Sequence, residues 1–206
     1  MRTFIAIEFP PLIVSHIQRL QQMLQTEVDQ AQLSRTVKWT QPQNWHITLR
    51  FLGSTSLEQK RSVERGLTVL LETYAPLRLN VGGIGCFPTP RQPSVVWTGV
   101  HGDLELLQQL QHDIDALVQS HDFKAESKGF TPHNTLAYIE RDAAPGDVRK
   151  LGALLQQLAQ SYAVTKPSAS FSLQQITFMQ SDLLPTGPIY TRLRRYDMRN
   201  SVAVGQ

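Results

Sequence analysis

The feature that most constrains this chain is a tetrapeptide of the form His-x-Thr-Leu that occurs twice. The copies are His46-Ile47-Thr48-Leu49, here called the first motif, and His133-Asn134-Thr135-Leu136, here called the second motif. In a β-strand, side chains two residues apart point to the same face. A strand at each copy therefore presents an imidazole and a hydroxyl together, while the alternate positions, such as Ile47 and Leu49, are expected to face a core.

Apolar patterning around the motifs predicts the same order of elements in both halves of the chain. The first half reads as strand, helix, histidine strand, helix and strand, and the second half repeats this order and adds a final strand. Principal strands are predicted at 3–9, 45–52, 77–81, 94–100, 131–139, 169–179 and 189–196, with amphipathic helices over 13–28, 63–74, 107–117 and 148–158. Residues 82–93, with three Gly and three Pro, read as a linker, and residues 184–188 read as a turn.

This repeated order predicts an α+β fold of two lobes with outer helices, related by an approximate two-fold axis. The two histidine strands would then meet at the centre, with their polar faces lining a shared cleft. We expect residues 1–206 to form a single domain in which each lobe carries one His-x-Thr-Leu strand.

Composition sets broad limits on function. The 206 residues carry a net charge of +3, which is compatible with an anionic substrate or a phosphate-bearing polymer. The single cysteine, Cys86, excludes an intramolecular disulfide. The apolar residues near the start are too few for a signal peptide, and no apolar run reaches the length of a membrane span. We expect a cytoplasmic monomer that does not contact membranes.

Two histidines facing across a cleft suit a reaction that needs a base and an acid at once, because an imidazole can take or give a proton near pH 7. Attack of water on phosphorus is such a reaction: one histidine activates the water and the other protonates the leaving oxygen. The hydroxyls of Thr48 and Thr135 could hydrogen-bond the non-bridging phosphate oxygens. A strained 2′,3′-cyclic phosphate fits this arrangement well.

Other chemistries fit the sequence less well. No metal site is expected, since two His and two Thr without further ligands at metal spacing make a poor zinc shell. A nucleophilic mechanism lacks both a Gly-x-Ser-x-Gly sequence and a base near Cys86. A single strand histidine is more often structural than catalytic, so the argument depends on the two matching copies. The other four histidines, which are His16, His101, His112 and His121, are interpreted as solvated residues on helix faces or in turns.

The chain resembles the 2H phosphoesterases, and among them the RNA 2′,3′-cyclic phosphodiesterases, also called LigT-like 2′-5′ RNA ligases. Besides the two motifs, the matching stretches are RTFIAI at 2–7 with Pro10, NWHITLRFLG at 44–53, Gly85 with Phe87-Pro88, Val96-Trp97, FTPHNTLA at 130–137 and LLPTGPIY at 183–190. The paired His-x-Thr motifs define the superfamily, and the flanking stretches indicate this branch.

The resemblance implies a bilobal α+β fold with antiparallel sheets and no cofactor. It implies metal-independent hydrolysis of the 2′,3′-cyclic phosphate at RNA or nucleotide ends to a 2′-phosphomonoester. His46 would be the proton donor, His133 the proton acceptor, and Thr48 and Thr135 the phosphate-binding residues. Joining RNA ends through 2′-5′ linkages would be an additional activity. The alternatives are hydrolysis of other phosphodiesters, such as 2′-5′ oligonucleotides or ADP-ribose cyclic phosphate, and non-catalytic binding of RNA ends.

The second motif departs from the family pattern at two positions. Asn134 stands where an apolar residue is usual, and Tyr138 stands where the family often has Arg. A cation that binds phosphate would then be absent or supplied by another residue. The candidates are Arg141, Lys128 and Arg91.

Three further features of the sequence are open to interpretation. The basic residues of the last strand, Arg192, Arg194, Arg195 and Arg199, either attract RNA or keep an edge strand from pairing. Phe87 either stacks on a base or fills the seam between the lobes, of which we favour the second. Trp45 and Trp97 are predicted to lie in the core.

Overall fold

The computed structural model describes residues 1–127, 129–165, 168–184 and 187–199. Within these ranges the chain forms nine β-strands and four α-helices. In chain order they are β1 (Arg2–Glu8), α1 (Pro11–Gln30), β2 (Val37–Trp39), β3 (His46–Ser54), α2 (Leu57–Leu71), β4 (Leu77–Thr89), β5 (Gln92–Gly102), α3 (Leu104–Gln119), β6 (His133–Ile139), α4 (Pro145–Thr165), β7 (Ser168–Leu173), β8 (Gln175–Leu184) and β9 (Gly187–Asp197). Of the predicted turn at 184–188, Pro185 and Thr186 lie outside the described residues.

The strands form two antiparallel sheets. Sheet 1 has the order β3-β1-β8-β9, and sheet 2 has the order β2-β6-β5-β4-β7. Helices α2 and α3 share one hydrophobic core with sheet 1, while α1 and α4 share another with sheet 2. The predicted α+β class with two antiparallel sheets and outer helices is confirmed.

The two sheets do not correspond to the two halves of the chain. Strands β8 and β9 cross from the second half into sheet 1, and β2 and β4 cross from the first half into sheet 2. The order β3-β1-β8 in sheet 1 therefore matches β6-β5-β4 in sheet 2: a histidine strand, the first strand of its half and a strand contributed by the other half. The repeat predicted from element order is present, and its two copies exchange strands.

The structure corrects two of the predicted elements. Residues 82–93 are not a linker, because β4 continues to Thr89 and pairs with β5. Its glycines make room for neighbouring side chains, and a Cβ at Gly85 would lie 2.2 Å from the ring of Trp97. The single strand predicted at 169–179 is two strands in different sheets, β7 and β8, separated by Gln174.

Each histidine strand carries a β-bulge at the last residue of its motif. In β3, Ala6 pairs with Thr48 and Ile5 with Arg50, so Leu49 is the extra residue; in β6 the extra residue is Leu136. Because of the bulge, two successive side chains are buried on the helix side of each strand: Leu49 and Arg50 in β3, and Leu136 and Ala137 in β6. The next side chain, Phe51 or Tyr138, is exposed. Strict alternation from the sequence does not predict this change of face.

Burial of the first motif agrees with the predicted faces. Ile47 and Leu49 are buried in the core between sheet 1 and its helices, whereas His46 and Thr48 lie on the opposite, concave face. In the described part of the chain, no helix is long and apolar enough to cross a membrane.

Candidate active site

His46 is the first residue of β3, and its ring is fixed by two hydrogen bonds. Nδ1–H donates to the carbonyl oxygen of Asn44 at 2.7 Å, which leaves Nε2 as the basic nitrogen of the neutral ring. Nε2 lies 3.0 Å from Oγ1 of Thr48, two residues along the same strand face. The motif therefore presents one proton-transfer nitrogen beside one hydroxyl.

Aromatic rings enclose His46. Its ring centroid lies 5.0 Å from that of Phe4 on β1 and 5.1 Å from that of Tyr190 on β9. Burial lowers the pKa of His46 below its usual value, and the hydrogen bond to the Asn44 carbonyl opposes this effect. The charge of His133 also lowers this pKa, whereas the charge of Glu8 raises it. In the free protein the neutral imidazole of His46 is thus favoured at pH 7.

His133 repeats this arrangement on sheet 2. Its Nδ1–H donates to the carbonyl of Thr131 at 2.6 Å, again two residues before the histidine, so Nε2 is again the basic nitrogen. Phe87 on β4 contacts the ring edge-on at 5.0 Å, and Trp97 on β5 lies 6.2 Å away. Each histidine therefore has the same tautomer and a pair of aromatic neighbours.

The two motifs are joined directly through Asn134. Its side-chain oxygen accepts a hydrogen bond from the backbone N–H of His46 at 3.1 Å, and the side chain is 1% exposed. Asn134, the residue of the second motif that departs from the family pattern, thus fixes the backbone of His46 in the first motif. Its side-chain nitrogen is buried without a hydrogen-bond partner among the described residues.

The segment that precedes the first motif also pairs with the second. Strand β2 pairs with β6, and the hydroxyl of Thr40 donates to the carbonyl oxygens of Thr135 and Leu136, each at 2.8 Å. The indole N–H of Trp45 in turn donates to the Thr40 hydroxyl at 2.9 Å. These bonds set the position of β3 relative to β6, so the two motifs are held close to each other.

Among the four predicted site residues, His46 and Thr48 are in contact, the charge of His133 acts on His46, and Thr135 lies two residues after His133 on β6. The predicted phosphate-binding cations lie outside these strands. Arg91 lies in the turn between β4 and β5, and Arg141 follows β6; both are exposed. Neither forms a hydrogen bond or ion pair with the site within the described ranges. Lys128 lies outside the described residues.

The cations on the floor of the cleft come instead from the edge strand β9. Glu8 pairs with His46 across β1 and β3, and its carboxylate accepts hydrogen bonds from Arg192 at 2.6 and 2.9 Å and from Arg195 at 3.3 Å. Burial acts to raise the pKa of Glu8, but the hydrogen bonds from Arg192 and Thr177 and the nearby positive charges lower it to about 2. The basic strand is evident in the sequence, but this carboxylate partner is not.

Several other sequence predictions need correction. Trp97 is not a core residue; it lies on the cleft side against Phe87, which itself packs on His133. His101 belongs to β5 rather than to a helix or turn. His16 is partly buried, with its Nε2 enclosed and without a hydrogen-bond partner in the described part of the chain. Trp45 is buried in the core, as predicted.

Tyr190 and Glu8 were missed as site residues. Tyr190 lies within the family-like stretch at 183–190, and Glu8 ends the first strand, but neither belongs to a repeated motif. Among the described residues, no three His, Cys, Asp or Glu side chains lie close enough together to hold a metal ion.

Comparison with known proteins identifies the family. A family model described as LigT-like phosphoesterase matches residues 12–97. An RNA 2′,3′-cyclic phosphodiesterase of Methanothermobacter thermautotrophicus is 30% identical over 191 residues, which cover 93% of this chain and 95% of that protein. The chain belongs to the LigT-like phosphoesterase family. Another family member of the same name, from Aeropyrum pernix, is 34% identical over 76% of this chain and 84% of its own length.

Solved structures of other proteins share the fold. The crystal structure of TT0787 of Thermus thermophilus has a TM-score of 0.74 at 23% identity and covers 98% of this chain and 100% of its own. Escherichia coli LigT complexed with 3′-AMP has a TM-score of 0.64 at 21% identity, covering 96% of this chain and 97% of its own.

Proposed function

We propose that this protein hydrolyses the 2′,3′-cyclic phosphodiester at RNA ends to a 2′-phosphomonoester by metal-independent acid–base catalysis. The observation that supports the proposal is that two His-x-Thr strands, each with Nε2 as the basic nitrogen of its histidine, are joined through Asn134 and lie close enough for the charge of His133 to act on the pKa of His46. Family membership supports the reaction class, since relatives at 24–34% identity are named RNA 2′,3′-cyclic phosphodiesterases.

In the proposed reaction His133 acts as the base and His46 as the acid. Nε2 of His133 takes a proton from water, whose oxygen forms a bond to phosphorus. The bond from phosphorus to the 3′ oxygen breaks, and Nε2–H of His46 gives that oxygen its proton. The products are a free 3′-hydroxyl and a 2′-phosphate, and the two histidines exchange protonation states.

Thr48 and Thr135 would donate their hydroxyls to the non-bridging oxygens of the phosphate. Both lie on the same strand face as their histidine, and Oγ1 of Thr48 is already within 3.0 Å of Nε2 of His46. Hydrogen bonds at these oxygens hold the phosphorus between the imidazoles and stabilise the charge that develops there.

The acid role of His46 requires a proton that burial disfavours in the free protein. The negative charge of a bound phosphodiester opposes this effect, because an anion close to an imidazole raises its pKa. Substrate binding and protonation of His46 are therefore coupled. Joining of RNA ends through a 2′-5′ linkage would be the same ring opening, with a ribose 5′-hydroxyl attacking the phosphorus in place of water and the 3′ oxygen again leaving.

Incubation with 2′,3′-cyclic nucleotides, with and without EDTA, tests the proposal. We expect conversion to the 2′-phosphate, identified by phosphorus NMR, at a rate that the chelator does not change. Formation of the 3′-phosphate would show that the 2′ oxygen is the leaving group, which contradicts the proposed reaction. Loss of activity with EDTA would contradict the metal-independent mechanism. Tight binding without turnover would instead indicate a module that binds RNA ends.

A further inference from the structure

A cavity of about 310 Å³ adjoins the cleft at the end of β1. Its polar wall includes Glu8, Thr177 and Arg195, and its apolar wall includes Phe9 and Phe171, whose rings meet edge-on at 6.0 Å. Backbone at the β7–β8 junction closes a further side. Apart from Glu8, whose charge acts on His46, these residues have no role in the chemistry proposed above. The volume lies at the lower end of the range for small-ligand sites.

The cavity lies beside the proposed reaction centre. Glu8 is the cross-strand partner of His46, and its charge acts on the pKa of that imidazole. In the next row of sheet 1, Thr48, Ala6, Thr177 and Arg195 are successive cross-strand partners on the concave face. Ala6, which lies between Thr48 and Thr177 in this row, is fully buried and packs with Phe4 and Met179.

This floor carries a surplus positive charge. The pKa of Glu8 is lowered to about 2, so its carboxylate is ionised at neutral pH. This single negative charge faces the two guanidinium groups of Arg192 and Arg195. Arg192 binds both carboxylate oxygens, and Thr177 donates to one of them at 2.7 Å. Arg195 is attached only through Nε at 3.3 Å, and its terminal nitrogens have no hydrogen bond or ion pair among the described residues. The terminal nitrogens of Arg195 can therefore donate hydrogen bonds to a ligand.

We propose that this cavity binds the nucleotide on the 5′ side of the reacting terminal nucleotide, with Arg195 donating to the phosphodiester between them. A guanidinium is well suited to a phosphate because its planar fork can donate two hydrogen bonds at once. Phe9 and Phe171 provide an apolar wall for the base, as aromatic side chains do in proteins that bind single strands. The preferred substrate is then an RNA end of at least two nucleotides. This inference rests on the proposed function.

Arg194 provides a matched control for Arg195. It is adjacent in sequence, carries the same charge and is similarly exposed on β9. The bulge at Leu193 turns it away from the carboxylate, and its guanidinium lies 5.2 Å from the ring centroid of Tyr196. Loss of either arginine changes the net charge equally, so long-range attraction of RNA is matched between the two variants.

The test compares binding of a nucleoside 2′-phosphate with that of a dinucleotide ending in a 2′-phosphate, by calorimetry, in the wild type, Arg195→Gln and Arg194→Gln. We expect the wild type to bind the dinucleotide more tightly than the mononucleotide. The ratio of the two Kd values should fall about tenfold in Arg195→Gln and stay unchanged in Arg194→Gln. Equal binding of both ligands by the wild type, or an equal loss in both arginine variants, would overturn the subsite.

Turnover of the corresponding cyclic-phosphate substrates separates this inference from the proposed function. The ratio of kcat/KM for the dinucleotide to kcat/KM for the mononucleotide should fall in Arg195→Gln and not in Arg194→Gln. If the wild type opens neither substrate, the proposed function fails, whereas the binding comparison still decides whether the subsite exists. If both are opened with the same ratio in all three proteins, only the subsite is wrong.

Discussion

At the residue scale, Asn134 connects the two halves of the candidate site. Its side-chain oxygen is the acceptor for the backbone N–H of His46 in a region closed to water. We predict that Asn134→Ala loses about 1–3 kcal/mol of unfolding free energy, because the N–H is left buried without a partner. Thermal unfolding should show a Tm lower by several degrees.

Thr98 is the control for Asn134. It is the cross-strand partner of Asn134 and fully buried, and its hydroxyl has no hydrogen bond in the described part of the chain. Thr98→Val should leave the Tm unchanged or raise it, since it removes an unsatisfied polar group. An Asn134→Ala protein as stable as Thr98→Val would show that the bond to His46 contributes nothing.

The pKa of His46 should respond in opposite directions to two neighbouring charges. His133 lowers this pKa and Glu8 raises it, while burial sets the overall decrease. In His133→Gln the pKa should therefore move up toward its usual value, and in Glu8→Gln it should move further down. Imidazole NMR titration measures both, and shifts of the same sign in the two variants would contradict this electrostatic arrangement.

Local sequence was sufficient to place His46 with Thr48, and His133 with Thr135, on one strand face each, because strand alternation acts over two residues. Their roles in catalysis stay a prediction. Tyr190 and Glu8 could not be found this way. Tyr190 reaches His46 only through the pairing of β8 with β9, and Glu8 faces it only through the register of β1 with β3. Asn134 was recognised as a departure from the family, but its bond depends on the meeting of two strands from different sheets.

At the scale of elements, Arg50 joins β3 to the chain that leads into the second motif. Its guanidinium is buried, pairs with Asp115 on α3 at 2.5 Å and also bonds the carbonyl of Lys124. Arg50→Met should cost about 3 kcal/mol, because the Asp115 carboxylate loses its partner. For a domain of this size this lowers the Tm by roughly 6–12 °C.

Lys150→Met is the corresponding surface control. Lys150 pairs with Asp147 at 3.3 Å, but the two side chains are 73% and 42% exposed. Removing this ion pair should change stability by no more than about 0.5 kcal/mol. If the two variants unfold at the same temperature, the buried network of Arg50 does not hold the β3–α3 junction together.

The prediction of elements from the sequence was wrong where a glycine-rich stretch forms part of a strand. Three glycines and three prolines made residues 82–93 read as a linker, yet β4 runs through most of them and pairs with β5. Gly85 is needed because the ring of Trp97 occupies the space that a side chain would fill, and Gly83 has a positive φ of 80°. The bulges at the last residue of each motif could not be predicted either, since they arise from the register between strands.

At the scale of the whole molecule, the exchange of strands makes each half dependent on the other. Sheet 1 needs β8 and β9 from the second half, and sheet 2 needs β2 and β4 from the first. We predict that fragments 1–91 and 92–206 do not unfold cooperatively when each is prepared alone. Circular dichroism during heating is the measurement, and a sharp transition in either isolated fragment would show that the lobes fold independently.

The central claim is that His46 and His133 act as one acid–base pair, and single-turnover kinetics on a 2′,3′-cyclic nucleotide test it most directly. We expect His46→Ala and His133→Ala each to slow ring opening by roughly 10²–10⁴-fold. The double variant should be little slower than the slower single one, because groups that work as a unit are not additive. His112→Ala, at an exposed position on α3, should match the wild type. Wild-type rates in either single variant would contradict the account.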